Sequence, residues 1–583
     1  MGLNSLILME RAAAELTKVL RKKVLFVVGN GNNGGDGVAA ARILKNSDVE
    51  PFVYEVNPRG KKSESLEYQL MVAKNFGVQF LETLPETATV EELAALFNAY
   101  DVIVDAIFGV GLSRDVEGVY KTAVEAINVV ARRGGKNLND DERAIESPIG
   151  DRAAIVVGCD IPSGINADTG RVMGAAVRCD LTVTFGYTKL GMLINEGRAC
   201  SGELITRDIG LYMPRSRAEV GKLFDGVVAY EFERGEFESV LPSVVADSNK
   251  GTRGKVLVIS GSKDIYGAMY LCASACFNMG VGLVKVVSHE ANRGLLMDKI
   301  PEAMMLTYSD EVLTCGKNGD EGGNIVTGAA CEDAGRKIAT DGFGRKLAES
   351  VKWADTVIIG PGLGTEPQAR AILAEALSHV CEGQNVVLDA DALNIIATTG
   401  DPEQRTEATY ASNTFATTGG PELKTGDVFK SLEKRLGRGK VVVTPHIAEM
   451  IRLMKGLERE IGADEIKTDP VGAAQWVAEK SGAICVLKDA RTVVCDPEDT
   501  SAAYINTTGN SGMSKGGFGD VLAGIVGGML TLNRKTQSAG FESVCAAVRL
   551  HGMLGDEDKL KVGESCMMAG HIVDEIREKR IFK

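Results

Sequence analysis

No C-x-x-C pair occurs among the 12 cysteines, and the five histidines are not paired with them at a zinc-finger spacing. Buried structural thiols in a reducing compartment are therefore expected. Proline is also scarce, 15 residues in 583, which excludes collagen-like and Pro-rich disordered architectures. No stretch approaches the ~18 consecutive apolar residues that a membrane-crossing helix needs. Basic residues are outnumbered, 65 Lys and Arg against 79 Asp and Glu, for a net charge of −14. Such a chain has no general attraction for phosphate backbones or anionic lipid, so neither nucleic acid nor a membrane is an expected partner. The opening Met1-Gly2-Leu3-Asn4-Ser5-Leu6 has no positive n-region, and Leu6 stands where myristoylation requires Ser or Thr. A cytoplasmic protein is expected.

What is present is an ordinary globular balance, 44% hydrophobic and 25% charged. Glycine is in surplus, 68 residues or roughly 12% against a usual ~7%. Without Pro enrichment, that surplus points to many tight strand-to-helix turns. The length exceeds what one core organises, so at least two domains are expected.

From residue 23 to about 210 the pattern repeats as apolar run, Gly-containing turn and helix. Lys23–Val28, Pro51–Val56, Asp101–Ile107, Ala153–Gly158 and Thr182–Phe185 are predicted strands, with a Gly/Asn-rich turn after the first and a helix over Val38–Leu44. Short buried strands alternating with helices define a doubly wound parallel sheet, whose ligands bind outside the strands' carboxyl ends. Residues 131–150 are polar and aperiodic, a predicted surface insertion. Residues 212–252 read as a junction, with the boundary set at 225/226. A second alternation follows, with strands at Gly254–Gly261, Gly282–Val287, Thr356–Ile359, Asn385–Leu388, Lys440–Val443 and Ala483–Leu487. A helix is predicted over Ala268–Gly280, a loop insertion over 308–345, and helices over the last ~60 residues. The fold class is α/β with two doubly wound domains.

Gly29-Asn30-Gly31-Asn32-Asn33-Gly34 fits G-x-G-x-x-G between strand and helix, and Glu55 ends the next strand where a Rossmann acid would grip a ribose. Gly35-Asp36-Gly37 argues against a dinucleotide oxidoreductase, because Asp36 puts a carboxylate where a pyrophosphate would approach. The amide oxygens of Asn32 and Asn33 suit a hard cation instead. Asp105-Ala106-Ile107-Phe108-Gly109-Val110-Gly111-Leu112-Ser113-Arg114 and Cys159-Asp160-Ile161-Pro162-Ser163-Gly164 follow two other strands. Any one of Asn33, Asp36, Asp105, Asp160 and Ser163 is ordinarily a cap or turn residue. Together, at one sheet edge, they form a candidate site.

These three motifs, in this order, resemble the NAD(P)H-hydrate epimerase domain, a Rossmann-like fold, over Ser5 to about residue 212. The resemblance implies a potassium ion held by Asn33, Asp105 and Ser163. It also implies a substrate cradle of Asn32, Asn33, Gly34, Gly35 and Asp36 with Gly109, Val110, Gly111, Leu112, Ser113, Arg114 and Asp115. Asp160 would be the acid/base that exchanges the C6 hydroxyl epimers of damaged NADH or NADPH. By the same comparison the chain starts late, short of an N-terminal helix.

The densest signal is Thr508-Gly509-Asn510-Ser511-Gly512-Met513-Ser514-Lys515-Gly516-Gly517-Phe518-Gly519-Asp520, running into an apolar helix. Its backbone N–H groups can approach an anion at a helix N-terminus, and Asp520 can activate a hydroxyl for attack on a phosphoryl group. It is not a Walker A loop, since Ser514 precedes Lys515. Gly360-Pro361-Gly362-Leu363-Gly364, Asp389–Asn394, Thr444–Met450 and Lys488–Thr492 end four strands.

These features resemble the ADP- or ATP-dependent NAD(P)H-hydrate dehydratase, a branch of the ribokinase-like fold, from about residue 228 onward. The resemblance assigns adenine-nucleotide binding, with Mg2+, to Lys488, Asp489, Ala490, Arg491 and Thr492 and to the loop Gly509, Asn510, Ser511, Gly512, Met513, Ser514, Lys515, Gly516, Gly517, Phe518 and Gly519. It assigns the hydrate pocket to Ala268, Gly362, Gly364, His446 and Asp520, with Asp520 as base. Ser511, Lys515 and Phe518 depart from the family's loop, so Phe518 is expected near the phosphate and Lys515 as an added anion contact. Both domains in this order resemble a bifunctional nicotinamide-nucleotide repair enzyme acting on NADHX and NADPHX, expected as a homo-oligomer. A vitamin-precursor kinase and a catalytically decayed binding protein are the alternatives.

Overall fold

The computed structural model describes residues 5–131, 154–212, 219, 228–232, 234–243, 247–310, 342–399, 424–536, 538 and 540–578. The chain divides into two compact units, Met1–Pro214 and Arg215–Lys583. The expected 225/226 boundary, most of the 131–150 insertion and residues 311–341 of the 308–345 insertion lie outside the described residues.

The first unit holds a seven-stranded, all-parallel sheet. Its strands are β1 (Lys23–Val28), β2 (Glu50–Glu55), β3 (Gln79–Phe80), β4 (Val102–Ala106), β5 (Ile155–Cys159), β6 (Leu181–Phe185) and β7 (Glu203–Arg207). The order β3-β2-β1-β4-β5-β6-β7 reverses direction between β1 and β4, the switch point where such sheets bind ligands. Side chains of β1 alternate between two buried faces. Val24, Phe26 and Val28 pack under the helices Ser5–Thr17 and Asn32–Leu44, while Leu25 and Val27 pack under Val90–Phe97 and Gly118–Val130. Full burial of each such side chain stabilises by ~1.5–3 kcal/mol.

The Gly/Asn-rich segment after β1 is not a turn throughout, because the helix already begins at Asn32. Glycine is a poor helix former, but here its missing Cβ permits close packing. A Cβ on Gly34 would lie 2.2 Å from the Gly29 carbonyl oxygen, and one on Gly29 would lie 2.1 Å from the Ile107 carbonyl oxygen. The helix start is thereby pressed against the chain leaving β4.

The second unit contains β8 (Val228–Tyr230), β9 (Lys255–Ile259), β10 (Leu283–His289), β11 (Met304–Tyr308), β12 (Thr356–Ile359), β13 (Asn385–Leu388), β14 (Val441–Val443), β15 (Ile484–Leu487), β16 (Val493–Cys495) and β17 (Ala502–Ile505). They form one ten-stranded sheet in the order β11-β10-β9-β12-β13-β14-β15-β16-β17-β8. The run from β11 to β15 is parallel, while β15–β16–β17 is antiparallel. The sheet is thus mixed. The apolar helix Phe518–Asn533 lies close against Gly267–Asn278, where a Cβ on Gly524 would come 2.4 Å from the Cys272 carbonyl oxygen. Eight of the ten described cysteines are buried, and none of the ten forms a disulfide.

Candidate functional site

In the first unit the carboxyl ends of β1, β4, β5 and β6 stand side by side. Asp105, on β4, is fully buried, and its Oδ1 accepts from the Ser163 hydroxyl at 2.6 Å while Oδ2 accepts from the Ser163 amide at 2.7 Å. Burial raises its pKa to about 6, against the opposing pull of those hydrogen bonds. Ser163 Oγ also accepts from the Phe108 amide at 2.8 Å. Asn33 donates from Nδ2 to the Phe108 carbonyl at 2.9 Å, and its Oδ1 is buried with no hydrogen-bond partner. An orphaned amide oxygen, a hydroxyl, a carbonyl and one buried carboxyl around Phe108 are hard oxygen donors, a set that fits a weakly charged cation.

Asp160 follows β5 in the left-handed region, φ +68°, an uncommon backbone for a residue with a Cβ. Its Oδ1 accepts from the Phe185 amide at 3.2 Å and from Thr184 Oγ1 at 3.4 Å, and it pairs with Lys189 Nζ. Asp36, on the first turns of the helix after β1, retains some accessible surface. Protein packed around its carboxyl, then the nearby Asp160, push its pKa well up, with Lys189 opposing. Burial, then Asp36, Asp160 and Asp105, likewise push the Cys159 thiol up, which makes it unreactive. Gly109–Asp115 form the loop after β4, with Val110 54% exposed, open to solvent beside these groups. Glu55, at the end of β2, pairs with Lys62 at 3.3 Å.

In the second unit the adjacent strands β12, β13, β14 and β15 each deliver one predicted turn. Gly360 has φ +126°, and a Cβ there would meet the Asp389 carbonyl oxygen at 1.9 Å, so the β12 and β13 turns touch backbone to backbone. A Cβ on Gly362 would come 2.7 Å from the Ile265 side chain and 3.0 Å from the Ala268 Cβ, and the Gly364 amide donates to Asp391 Oδ2 at 2.8 Å. Asp389, almost fully buried, accepts from Thr444 Oγ1 and from Lys488 Nζ, each at 2.6 Å. His446 caps the helix Ile447–Gly456. Its Nδ1 accepts from the Ala448 amide at 3.1 Å, and its own amide donates to Glu449 Oε2 at 2.9 Å. His446 therefore reaches the site through the buried Glu449, which lies 3.9 Å from Lys488.

Burial alone would lower the Lys488 ammonium, but Asp389 and Glu449, with Asp520, hold it above its ordinary value. Asp520 sits on the first turn of Phe518–Asn533. Burial, then Asp389, raises its pKa to about 7 despite Lys488. The preceding loop is internally braced: the Gly509 amide donates to Asp556 Oδ2 at 2.8 Å, and Asn510 Nδ2 donates to Asp556 Oδ1 at 3.0 Å.

Two loop side chains, Phe518 and Lys515, do not point where the sequence suggested. Phe518 is 3% exposed, with its ring in the core and edge-on to His551 at 6.3 Å. Lys515 Nζ donates to the Ser565 and Met567 carbonyls at 2.7 and 2.9 Å, and Ser511 donates to Glu564. Ser514 Oγ donates to the Ser511 carbonyl at 2.6 Å. Asp489 and Ala490 are exposed between β15 and β16, and Arg491 donates to the Thr507 carbonyl.

Sequence reasoning gave no role to Lys189, Thr184, Glu449, Asp556 or His551. A signal existed for Lys189, since it follows a predicted strand end at the same sheet edge as Asp160. None existed for His551, whose Nε2 is buried without a partner and whose imidazole burial lowers to about 4.

The family described as YjeF-related protein N-terminus matches residues 5–191, and the family described as NAD(P)H-hydrate dehydratase matches residues 256–411 and 403–578. A bifunctional NAD(P)H-hydrate repair enzyme Nnr of Thermofilum pendens is 31% identical over 95% of this chain and 88% of its own length. One from Moorella thermoacetica is 31% identical over 98% of this chain and 91% of its own. A solved ribokinase-like superfamily protein of Enterococcus faecalis aligns at 25% identity over 61% of this chain and 96% of its own, with a TM-score of 0.44. The chain belongs to the family of bifunctional NAD(P)H-hydrate repair enzymes, with an epimerase and a dehydratase domain.

Proposed function

We infer that each unit carries its own active site: the first exchanges the two C6 epimers of the hydrates NADHX and NADPHX, and the second returns the S form to NADH or NADPH at the expense of ADP or ATP. The observation that carries this reading is the same in both. A carboxyl group, Asp160 or Asp520, stands at the carboxyl edge of its sheet beside a lysine and a second carboxyl.

In the first site a proton from Asp160 goes to the C6 hydroxyl, the C–O bond breaks as the ring nitrogen's lone pair forms an iminium, and water departs. Water then adds to the other face and returns a proton to the carboxylate. Asn33 Oδ1, Asp105, Ser163 and the Phe108 carbonyl are the donors for a potassium ion, which supplies fixed positive charge beside the substrate when bound. This chain's residues orient the hydrate between Asn32–Asp36 and Gly109–Asp115.

In the second site the loop Gly509–Gly519, through backbone amides not already used within it, holds the terminal phosphates of the nucleotide, whose oxygens would carry Mg2+, with Lys488–Thr492 alongside. Asp520 takes the proton of the C6 hydroxyl, whose oxygen forms a bond to the terminal phosphorus as the nucleotide leaves. Phosphate is a better leaving group than hydroxide. Its loss from C6, with a proton from C5, restores the dihydropyridine. Ala268, Gly362, Gly364 and His446 line the hydrate side. A homo-oligomer in the cytoplasm belongs to the same reading.

The test is to incubate a mixture of both epimers with ADP or ATP and follow the NAD(P)H absorbance. Conversion of the whole mixture supports two working sites. A plateau at the S fraction alone contradicts the epimerase, and transfer of phosphate to an unrelated vitamin-precursor alcohol with no hydrate turnover favours the kinase.

A further inference from the structure

Lys189 follows β6 and belongs to none of the motifs that define the epimerase site. Its Nζ nevertheless pairs with Asp160 Oδ1 and also donates to Thr184 Oγ1 at 2.9 Å and to the Phe185 carbonyl at 3.3 Å. The ammonium has three donors, so those three acceptors fix its position fully. The partition at Asp160 is one-sided. Oδ1 receives Lys189, the Phe185 amide and Thr184, whereas no donor among the described residues reaches Oδ2. The Asp160 side chain keeps 17% exposure, so the oxygen without a partner lies in the part that solvent reaches. Asp36 lies close enough to Asp160 for that neighbour to add to the rise that burial imposes on the Asp36 carboxyl, and Lys189 opposes that rise. Asp160 also holds an uncommon backbone conformation, φ +68°, which persists only where neighbours over-determine it.

We propose that Lys189 is a positioning residue of the epimerase site: by holding Oδ1 from the end of β6 it turns Oδ2 toward the C6 hydroxyl of the hydrate. The inference rests on Asp160 as the acid/base. Lys189 does not touch substrate; it sets the direction in which the carboxyl presents its proton. A carboxyl free to rotate about its last bond would spend much of its time with the proton-bearing oxygen turned away, so the loss falls on kcat rather than on KM.

The experiment uses the full chain and the R hydrate with ATP, with the background exchange subtracted, and takes dehydration of the S hydrate by the same protein as the internal standard. Lys189→Met is expected to lower kcat for R-to-S exchange by about 100-fold with KM within about threefold, because a positioned proton donor contributes 10²–10⁴-fold. Lys189→Arg, which keeps the charge, is expected to recover to within about tenfold of the parent. Thr184→Val, removing one partner of both side chains, is expected to cost about threefold to tenfold in kcat. An unchanged kcat in Lys189→Met, or a loss confined to KM, overturns the proposal. If Lys189→Met loses its cooperative melting transition, Lys189→Arg decides: an equal collapse of its exchange while it melts like the parent overturns the proposal, and partial recovery supports it. Asp160→Asn separates the two levels. If it retains exchange, the acid/base reading itself fails; if it loses exchange while Lys189→Met keeps it, only the positioning role fails.

Discussion

The two sites solve the problem of a buried carboxyl differently. In the first unit Asp105 is enclosed by neutral donors, the Ser163 hydroxyl and amide and the Ile107 amide, and the unmet valence left over is a neutral oxygen, Asn33 Oδ1. In the second, Asp389, Glu449 and Asp520 are gathered around one ammonium, Lys488. Neutral donors leave a place for a cation to complete the site. An internal ammonium leaves the carboxyls partly compensated, and the residual repulsion from Asp389 falls on Glu449 and on Asp520, the latter poised at the mouth of the glycine-rich loop. The Asp105 cluster is built to receive positive charge, the Asp520 cluster to take up a proton.

The largest effect expected from breaking this contrast is at Asp520. Asp520→Asn is expected to lower dehydration of the S hydrate by about 10²–10⁴-fold while leaving epimer exchange unchanged, measured by NAD(P)H absorbance and by chromatography of the epimers. Retained dehydration would remove Asp520 as the base.

Next comes the pH dependence of the same step. The Asp520 pKa is raised to about 7, and a base works when deprotonated, so kcat of dehydration should fall as pH drops through about 7. Linkage runs the other way. A raised carboxyl pKa makes the folded state bind the proton more tightly than the unfolded chain. Its stabilising contribution is full below the unfolded carboxyl value and is lost as pH rises through about 7. Asp520→Asn should therefore raise thermal stability at pH 8 relative to the parent, and a lower melting temperature there would contradict the burial argument.

A smaller effect sharpens the first site. Asn33→Ala removes both the donor to Phe108 and the orphaned acceptor, costing about 0.5–1.5 kcal/mol for the lost hydrogen bond, and should abolish any stabilisation by potassium seen in the parent's melting curve. Equal potassium stabilisation of parent and variant would contradict the donor set. The smallest is Lys515→Ala. Its ammonium is spent on two carbonyls of the following turn, so the Michaelis constant for ATP should change by less than about threefold.

Much of the parallel framework was legible from residue pattern alone. Thr356–Ile359 and Asn385–Leu388 are strands at the predicted bounds, because strands buried on both faces read as unbroken Val/Ile/Leu runs. The strands that pattern missed lie mostly toward the sheet edges or are very short: β3 with two residues, β7 with charged ends, β8 (inside the expected 212–252 junction) and β11 at the two ends of the second sheet, and the β16–β17 hairpin. The glycine-rich segment after β1 read as a turn because local propensity favours one, and the close approach of Gly34 to Gly29 decided for a helix. Of the sites, the residues at strand ends could be read from their motifs. Lys189 left only the weak signal of following a strand end, and Glu449 and Asp556 left none, since they matter through partners distant in sequence that no local spacing encodes. The loop residue Phe518 misled because an aromatic side chain beside glycines reads as exposed, while its position on the first turn of a buried helix sends the ring inward.

The most direct test of two independent sites is complementation between separately purified variants. Asp160→Asn should consume only the S hydrate and Asp520→Asn neither epimer, yet the two mixed with ATP should convert the whole epimer mixture to NAD(P)H, because the exchanged hydrate is released by one protein and used by the other. A mixture that stops at the S fraction would contradict the account.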